Sequence, residues 1–281
     1  MSIRKAREYY QTLTPQQKHF VDNKTINTTL SIRHWISFLS KTSDFDEYGD
    51  KARNTLMIRM ILFGIGAVVS IFFAVEFYYL FAITIILGIL FFDALSSRRE
   101  FTRRDMNNYL RLFFMPFLEV IKQKAGEEAK LSASLDFSDP LKLQPQKSEV
   151  KVYGRKRYIK LYEPKLIIAG VTLSDGTYLE NVLTDEIRVI SYTNARGKSK
   201  SKTKTLHRLF IRLTIDKKIY KLRNRSNFKD IEIAEDENAY ILKLKYKYKV
   251  SVASIFEPKQ FFNVLGGMYQ YKTSNADRGL C

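Results

Sequence analysis

The sequence LMIRMILFGIGAVVSIFFAVEFYYLFAITIILGILFFDAL occupies residues 56–95 and decides how the chain is organised. Between residues 60 and 92, a run of 33 residues, Glu76 is the only charged residue. One helix of that length would extend about 50 Å, whereas the hydrocarbon core of a bilayer is about 30 Å thick. We therefore predict two transmembrane helices, Leu56–Ala74 and Phe77–Leu95, with Glu76 at the turn between them. A re-entrant hairpin that stops short of the far side is the alternative.

The residues that flank this hairpin predict its orientation. Arginines stand on both flanks, whereas the tip carries tyrosines and no lysine or arginine. Cytoplasmic loops are enriched in Lys and Arg, and aromatic residues are enriched at bilayer interfaces, so both flanks should face the cytoplasm. The residues assigned to the membrane interface are Trp35, Arg59, Tyr78, Tyr79, Arg98, Arg99, Arg103 and Arg104. We expect a bacterial inner membrane with both termini in the cytoplasm; a eukaryotic endomembrane is the alternative.

Charge is distributed unevenly along the 281 residues. The chain has 47 Lys and Arg against 29 Asp and Glu, a formal net charge of +18. Residues 1–96 hold 10 cations and 8 acids, about +2, whereas residues 97–281 hold 37 and 21, about +16. A field of that sign attracts nucleic acid, nucleotides or anionic lipid headgroups. A basic membrane-proximal surface without a specific ligand explains the excess equally well.

Residues 1–55 are predicted to form a cytoplasmic helical arm. The sequence Thr14-Pro15-Gln16-Gln17 combines an N-cap, a first-turn proline and a capping-box glutamine, which predicts a short helix. A second, amphipathic helix is predicted over residues 26–39, where Trp35 suits a membrane interface. Packing of this helix against the cytoplasmic domain or against a second subunit is an equal alternative.

Residues 96–130 are predicted to continue as a membrane-proximal helix. Large apolar residues between positions 109 and 121 recur every four positions. Pro116 should kink or interrupt the helix, and Gly126 should end it. A face this wide must be buried against the β-domain, a second copy or the membrane.

Residues 131–281 are predicted to be a cytoplasmic β-rich domain, because apolar and polar residues alternate there. The seven predicted strands lie near residues 150–153, 157–162, 165–173, 186–193, 206–215, 218–223 and 240–250. Turn signals include residues 174–177 and residues 216–218, which predict a tight connection between the apolar runs at 210–215 and 219–222. Pro258 opens a C-terminal helix.

The predicted fold class is therefore α+β. It has N-terminal helices, the transmembrane hairpin, and a cytoplasmic small β-barrel or sandwich of about seven strands with a C-terminal helix. Seven strands followed by one helix resembles the element order of a pleckstrin-homology-like barrel. Bacterial proteins that place such a domain beside a two-helix membrane hairpin are known, and the layout is similar to theirs. The resemblance covers residues 131–281 and implies a closed barrel; another small barrel or a sandwich fits the pattern equally well.

Two rows of cations with a spacing of two residues are the candidate ligand site. The first row is Arg196, Lys198, Lys200, Lys202 and Lys204, and the second is Lys243, Lys245, Lys247 and Lys249. In an extended strand the members of a row point to one side, about 6.6 Å apart. Such a row can follow a phosphate backbone or a plane of headgroups. The alternatives are a solvated hairpin tip for the first row and the outer face of an ordinary strand, or a lysine-protected edge, for the second.

Patterns that would indicate catalysis are missing from the sequence. It contains no HxxxH, CxxC, GxSxG or P-loop spacing, and its one cysteine, Cys281, is the last residue. We expect no enzymatic activity and no cofactor. The functional prediction is a membrane-anchored protein whose β-domain binds an anionic partner (a nucleotide, nucleic acid or anionic lipid) as a sensor or effector that oligomerises. The alternative is a structural subunit of a larger membrane assembly, in which the apolar face of residues 109–121 packs on other chains.

Overall fold

The computed structural model of the chain describes residues 2–74, 77–153, 155–194, 197–222, 231–249 and 258–274. Two compact units divide the chain. The first unit comprises residues 1–23 and 38–107, and the second comprises residues 24–37 and 108–281. The second unit is therefore built from segments on both sides of the apolar stretch.

The architecture is α+β, with six α-helices in the described residues. They are α1 (Ser2–Thr12), α2 (Pro15–Asn23), α3 (Ile32–Ala74), α4 (Leu80–Arg103), α5 (Met115–Ala125) and α6 (Pro258–Tyr269). In the most apolar segments of α3 and α4, only 11% of the residues are buried within the chain. The core helix of a soluble protein would be mostly buried. The chain thus contains two helices that are long and apolar enough to cross a membrane.

Helices α3 and α4 pack against each other as an antiparallel pair. Ser70 Oγ lies 2.7 Å from Thr84 Oγ1, so one of these hydroxyls donates to the other across the pair. One turn earlier on α3, Gly66 faces Leu87 of α4. The predicted hairpin is present, with its turn before Leu80; Glu76, predicted to lie at this turn, falls outside the described residues.

Close packing at Gly66 predicts that a larger side chain there will separate the two helices. A Cβ atom at Gly66 would lie 3.2 Å from Leu87 Cδ1, whereas a Cβ atom at Gly88 would meet nothing within 4 Å. We expect Gly66→Leu to destabilise the pair by about 1–3 kcal/mol through overpacking. Gly88→Leu is the matched control and should leave the thermal unfolding midpoint in detergent unchanged. Equal midpoints for the two variants would contradict the observed packing.

The N-terminal helices complete the first unit. The predicted capping box of α2 is confirmed: Thr14 N donates to Gln17 Oε1 at 2.9 Å, and Gln17 N donates to Thr14 Oγ1 at 3.3 Å. Helix α1 was not anticipated from the sequence. Its Ala6 is buried in a cluster with Ala52 of α3 and Phe101 of α4, so this helix packs on the two long helices.

The second unit is built on a nine-stranded antiparallel sheet. The strands of the described residues are β1 (Thr25–Ser31), β2 (Lys130–Asp136), β3 (Lys147–Tyr153), β4 (Arg155–Tyr162), β5 (Lys165–Thr172), β6 (Tyr178–Thr193), β7 (Ser199–Asp216), β8 (Tyr220–Leu222), β9 (Ile231–Glu235), β10 (Ala239–Lys249) and β11 (Lys272–Ser274). The sheet has the order β1-β2-β5-β6-β7-β10-β9; β4 pairs with β6 beyond the end of β5, and β3 pairs with β4. Strands β8 and β11 form a separate pair. Within the described residues β1 and β9 remain open edges, so closure into a barrel is not seen.

One face of the sheet is apolar and is covered by helices. Leu183, Leu209 and Ile211 are buried on this core face. Phe117 of α5 meets Phe261 of α6 with ring centroids 5.5 Å apart, in an edge-to-face arrangement. The periodic apolar residues between positions 109 and 121 are therefore buried inside the second unit.

Trp35 belongs to this core and not to a membrane interface, which corrects the first interpretation of residues 26–39. Its side chain is fully buried, and Nε1 donates a 2.9 Å hydrogen bond to the carbonyl of Leu131. Its ring meets Phe114 edge-on. The alternative interpretation, packing against the β-domain, is the one that the structure supports.

Two predicted helices begin or end elsewhere in the structure. Residues 25–31 form strand β1, which pairs with β2, and the helix starts only at Ile32. The helix predicted over residues 96–130 is interrupted: α4 ends at Arg103, a π-helical turn covers Leu110–Phe114, and β2 begins at Lys130.

Gly126 ends the helix as predicted, whereas α5 runs through Pro116 and the helix changes from π to α geometry directly before it. In the π-helical turn the N–H of Met115 bonds to the carbonyl of Leu110. This wide turn comes directly before Pro116, which lacks an N–H and sits in the first turn of α5. Gly126 then ends α5 with a φ of 88°, a conformation that glycine adopts without strain.

The tight connection predicted at residues 216–218 is present between β7 and β8. The chain does turn there, since Lys218 N donates to Asp216 Oδ1 at 2.7 Å. However, β8 pairs with β11, and the partner of β7 is β10. A hairpin is formed instead by β9 and β10, which pair with each other across residues 236–238.

Candidate polyanion-binding face

The two lysine rows lie on strands of one sheet. Lys200, Lys202 and Lys204 alternate along β7, and all three side chains are exposed. Lys245 and Lys247 of β10 are also exposed. The spacing of two residues therefore corresponds to β-strands in the structure, and the lysine row of β7 lies on a strand and not only at a hairpin tip.

The strand register places both rows on the same face. Lys243 lies opposite Arg212 of β7, and Lys247 lies opposite Arg208. Directly opposite residues in antiparallel strands point to the same side. Arg208 and Arg212 share their side of β7 with Lys204, because all three positions are separated by even numbers of residues. The rows thus combine into one surface, called here the basic face, on the side of the sheet opposite the core.

Beyond the end of β10, the basic face continues over a four-stranded extension of the sheet. This extension, called the wing, consists of β3, β4, residues 187–193 of β6 and residues 199–205 of β7. Its three cross-strand rows on the basic face are Lys151–Arg157–Tyr192–Lys200, Glu149–Ile159–Ile190–Lys202 and Lys147–Leu161–Arg188–Lys204. These rows contain seven cations and one acid, so the wing carries a strong excess of positive charge.

Acidic neighbours neutralise only part of this surface. Glu186 is buried, accepts a 2.6 Å hydrogen bond from Arg188 Nε and also pairs with Arg208. Glu149 pairs with Lys147 and, at 3.5 Å, with Lys151. The hydrogen bond from Lys147 holds the pKa of the Glu149 carboxyl below its usual range.

Four wing cations are exposed and form no ion pair with any residue that the structure describes. They are Arg157, Lys200, Lys202 and Lys204. Cations without an acidic neighbour keep their full field for a ligand.

The remaining residues of the two predicted rows lie in different parts of the structure. Lys198 is exposed but lies in the turn before β7, where its N–H donates to Asn194 Oδ1 at 2.9 Å. Lys249 is the last residue of β10 and lies opposite Leu206. Lys245 is exposed and lies 3.5 Å from Glu232. Arg196 falls outside the described residues.

Sequence reasoning missed most of the cations that β3, β4 and β6 add to the face. Among them are Arg188, Lys147 and Lys151. Alternation along β3 and β6 places these residues on one side of their strands. The missing information was which strand pairs with which, and in what register.

The residues predicted to lie at the membrane interface differ in their surroundings. Tyr78 is 85% exposed and Tyr79 57% exposed, and Arg59, Arg99 and Arg103 are also exposed. Arg98 is half-buried. Arg104 instead pairs with Asp22 at 3.2 Å and lies 4.0 Å from the ring centroid of Tyr10. It therefore ties α4 to the N-terminal helices of the first unit.

A buried polar cluster lies on the core face of the sheet. His207 Nδ1 is 2.6 Å from Asp185 Oδ1 and 2.7 Å from the Tyr109 hydroxyl. All three residues are buried. Asp185 and His207 lie directly opposite each other on β6 and β7, so the cluster ties these strands to the segment that carries the π-helical turn.

A second cluster holds the C-terminal strand. Lys272 pairs with Asp175, donates to Thr177 Oγ1 at 3.0 Å, and lies 4.1 Å from the ring centroid of Tyr269 and 4.6 Å from that of Tyr220. Burial raises the pKa of Asp175, but the hydrogen bonds from Lys272 and the Thr177 N–H outweigh it and lower the pKa. Each charge has a partner, so this cluster is structural.

Three carboxylates of the first unit lie close enough to hold a cation. Oxygens of Asp46, Asp50 and Asp105 are within 4.8 Å of one another. Arg53 pairs with both Asp50 and Asp105, and the N–H of Met106 donates to Asp46 at 2.8 Å. The guanidinium supplies the positive charge that a metal ion would otherwise provide.

Comparison of this chain with family models, with characterised proteins and with solved structures finds no match. Its function must therefore be inferred from its own residues.

Proposed function

We propose that this chain is a membrane-anchored, non-enzymatic protein whose basic face binds an anionic partner, a nucleotide, nucleic acid or anionic lipid. In this proposal α3 and α4 cross a bacterial inner membrane, and the sheet faces the cytoplasm. The observation that carries the proposal is the register that unites both lysine rows on one exposed face. A sensor or effector of this kind would change its oligomeric state when the partner binds.

The alternative, a structural subunit of a larger assembly, loses its main support. It relied on the apolar face of residues 109–121 packing on other chains. Tyr109, Phe113 and Phe117 are instead buried inside the second unit, so this face is already occupied.

Removing three lysines from the wing should weaken anion binding. The full chain in detergent is titrated with single-stranded DNA, cyclic dinucleotides and anionic vesicles at low and high salt. We expect the variant K200A/K202A/K204A to bind more weakly than the wild type. For single-stranded DNA, the slope of log Kd against log salt concentration should fall by about 2, because three lysines no longer displace counterions from phosphates.

The matched control changes the same strand and the same amount of charge. The variant S199E/S201E/T203E also lowers the net charge by three, but its exposed substitutions lie on the opposite side of β7. Specific use of the basic face requires that this control bind more tightly than the alanine variant. If both variants bind equally weakly, net charge alone explains the loss of affinity. Absence of binding to all three probes would disprove the proposal.

A further inference from the structure

The wing combines two kinds of surface on one side. Its outer columns are cationic, with Lys147 and Lys151 on β3 and the lysine row on β7. Its inner columns, on β4 and β6, hold three aliphatic residues, Ile159, Leu161 and Ile190, together with Arg157, Arg188 and Tyr192. The three aliphatic residues form an apolar strip whose neighbours on this face are cations, Tyr192 and one acid, Glu149.

The two faces of the wing differ sharply. On β7, Ser201 and Thr203 point away from the lysine row, and they lie opposite Ser191 and Val189 of β6. Among the described residues of the wing on that side there are two cations, Lys156 and Lys160 of β4, whereas the basic face carries seven. A partner that recognises positive charge will therefore meet the wing from the basic face.

We propose that the basic face of the wing lies against the headgroups of an anionic bilayer, an inference that rests on the proposed function and names its partner. Lysines near an anionic membrane surface contribute about 1 kcal/mol each. Aliphatic side chains between them gain free energy at the boundary between headgroups and acyl chains.

The composition of the strip favours lipid over the other anions. Single-stranded nucleic acid is bound by rows of aromatic side chains on which bases stack, whereas the two inner columns have one aromatic residue, Tyr192, beside three aliphatic residues and two arginines. A small nucleotide calls for a concave site, whereas a four-stranded sheet face about 14 Å across suits an extended surface.

Chain connectivity places a bilayer within reach. The larger segment of the second unit starts at Asn108, shortly after α4 ends at Arg103. If α4 crosses the membrane, the sheet is covalently held near its surface, and docking becomes an intramolecular step that weak contacts can drive.

The edge of the wing disfavours a second copy as the partner. Residues 199–205 of β7 pair with β6 only, as far as the structure describes them, so their other side is open. Lysines along an exposed edge prevent strand addition through charge repulsion. The wing is therefore suited to contact a surface through its basic face, and it is not suited to pair with another strand through its edge.

The test uses the full chain, with Cys281→Ser, in nanodiscs of phosphatidylcholine with or without phosphatidylglycerol. A fluorophore on Ile190→Cys reports the basic face, and one on Ser191→Cys reports the opposite face as a control. We expect acrylamide, a neutral water-soluble quencher, to lose access to position 190 only when phosphatidylglycerol is present. Adding K200A/K202A/K204A should weaken docking roughly 100-fold, and high salt should release the wild-type wing.

Each outcome decides a separate point. Unchanged quenching at position 190 in anionic nanodiscs overturns the bilayer proposal. If the same protein still binds single-stranded DNA or a cyclic dinucleotide through Lys200, Lys202 and Lys204, the proposed function stands with another partner. If no anion is bound at all, both proposals fail. Equal protection of positions 190 and 191 would show burial in another contact and would also overturn the proposal.

Discussion

Replacing Trp35 with alanine should lower the free energy of unfolding of the second unit by about 3–5 kcal/mol. The indole is fully buried, donates to the carbonyl of Leu131 and packs against Phe114. Alanine would leave a cavity among these groups and a buried carbonyl without its donor. Denaturant unfolding of the full chain in detergent, followed through the circular dichroism signal of the sheet, measures the loss.

Tyr78 provides the control for this prediction, because it is an aromatic residue of the hairpin tip that is 85% exposed. Tyr78→Ala should change the free energy of unfolding by less than about 0.5 kcal/mol. Trp35 is the only tryptophan, so its fluorescence adds a second measurement. Brominated lipids should not quench the fluorescence of this indole. Strong quenching would show that Trp35 lies at the membrane interface.

The error at residues 26–39 shows what local patterns cannot reveal. Leu30, Trp35 and Leu39 fit a helical spacing, which favoured one helix across the whole stretch. Yet residues 25–31 are rich in threonine, a strand former, and their partner is β2, with Thr25 opposite Asp136. A strand whose partner lies more than a hundred residues away is stabilised by contacts that its own sequence does not contain.

The apolar hairpin was predictable because its signal is local. A bilayer-length run without charge limits the chain to helices, and the predicted first helix, Leu56–Ala74, lies within α3. The flanks were less predictable: α3 begins at Ile32, far before the apolar segment, and α4 ends at Arg103. Both helices continue beyond the apolar segment as polar turns, and the sequence has no signal that marks where these turns begin or end.

The basic face could be predicted only in part, because the sequence of one strand does not reveal which strand it pairs with. A spacing of two residues revealed each lysine row, since side chains of a strand alternate between its faces. That the rows share a face depends on the register between β7 and β10, which are separated along the chain by β8 and β9. The wing depends further on β4 pairing with β6, which no local turn specifies.

Replacing Asp185 with alanine should be the most damaging polar substitution in the sheet, costing about 3 kcal/mol. Asp185 accepts from His207 Nδ1 at 2.6 Å, and the Tyr109 hydroxyl lies 2.7 Å from the same nitrogen. Alanine would leave both buried partners without the carboxylate. Denaturant unfolding of Asp185→Ala, Tyr109→Phe and the double variant forms a cycle, in which we expect a coupling of about 0.5–3 kcal/mol.

Asp185→Asn is the matched control, because it keeps an acceptor of the same shape and should lose less stability than alanine. A cost for Asp185→Ala no larger than for Asp185→Asn would show that the cluster contributes little.

The buried cluster also bears on the basic face, which lies on the other side of the sheet. Asp185 and His207 are direct partners in the β6–β7 ladder, and a slip of one residue would turn a whole strand over. The buried pair therefore favours the register that presents Lys200, Lys202 and Lys204 on the basic face, so the core cluster and the candidate binding surface depend on one alignment.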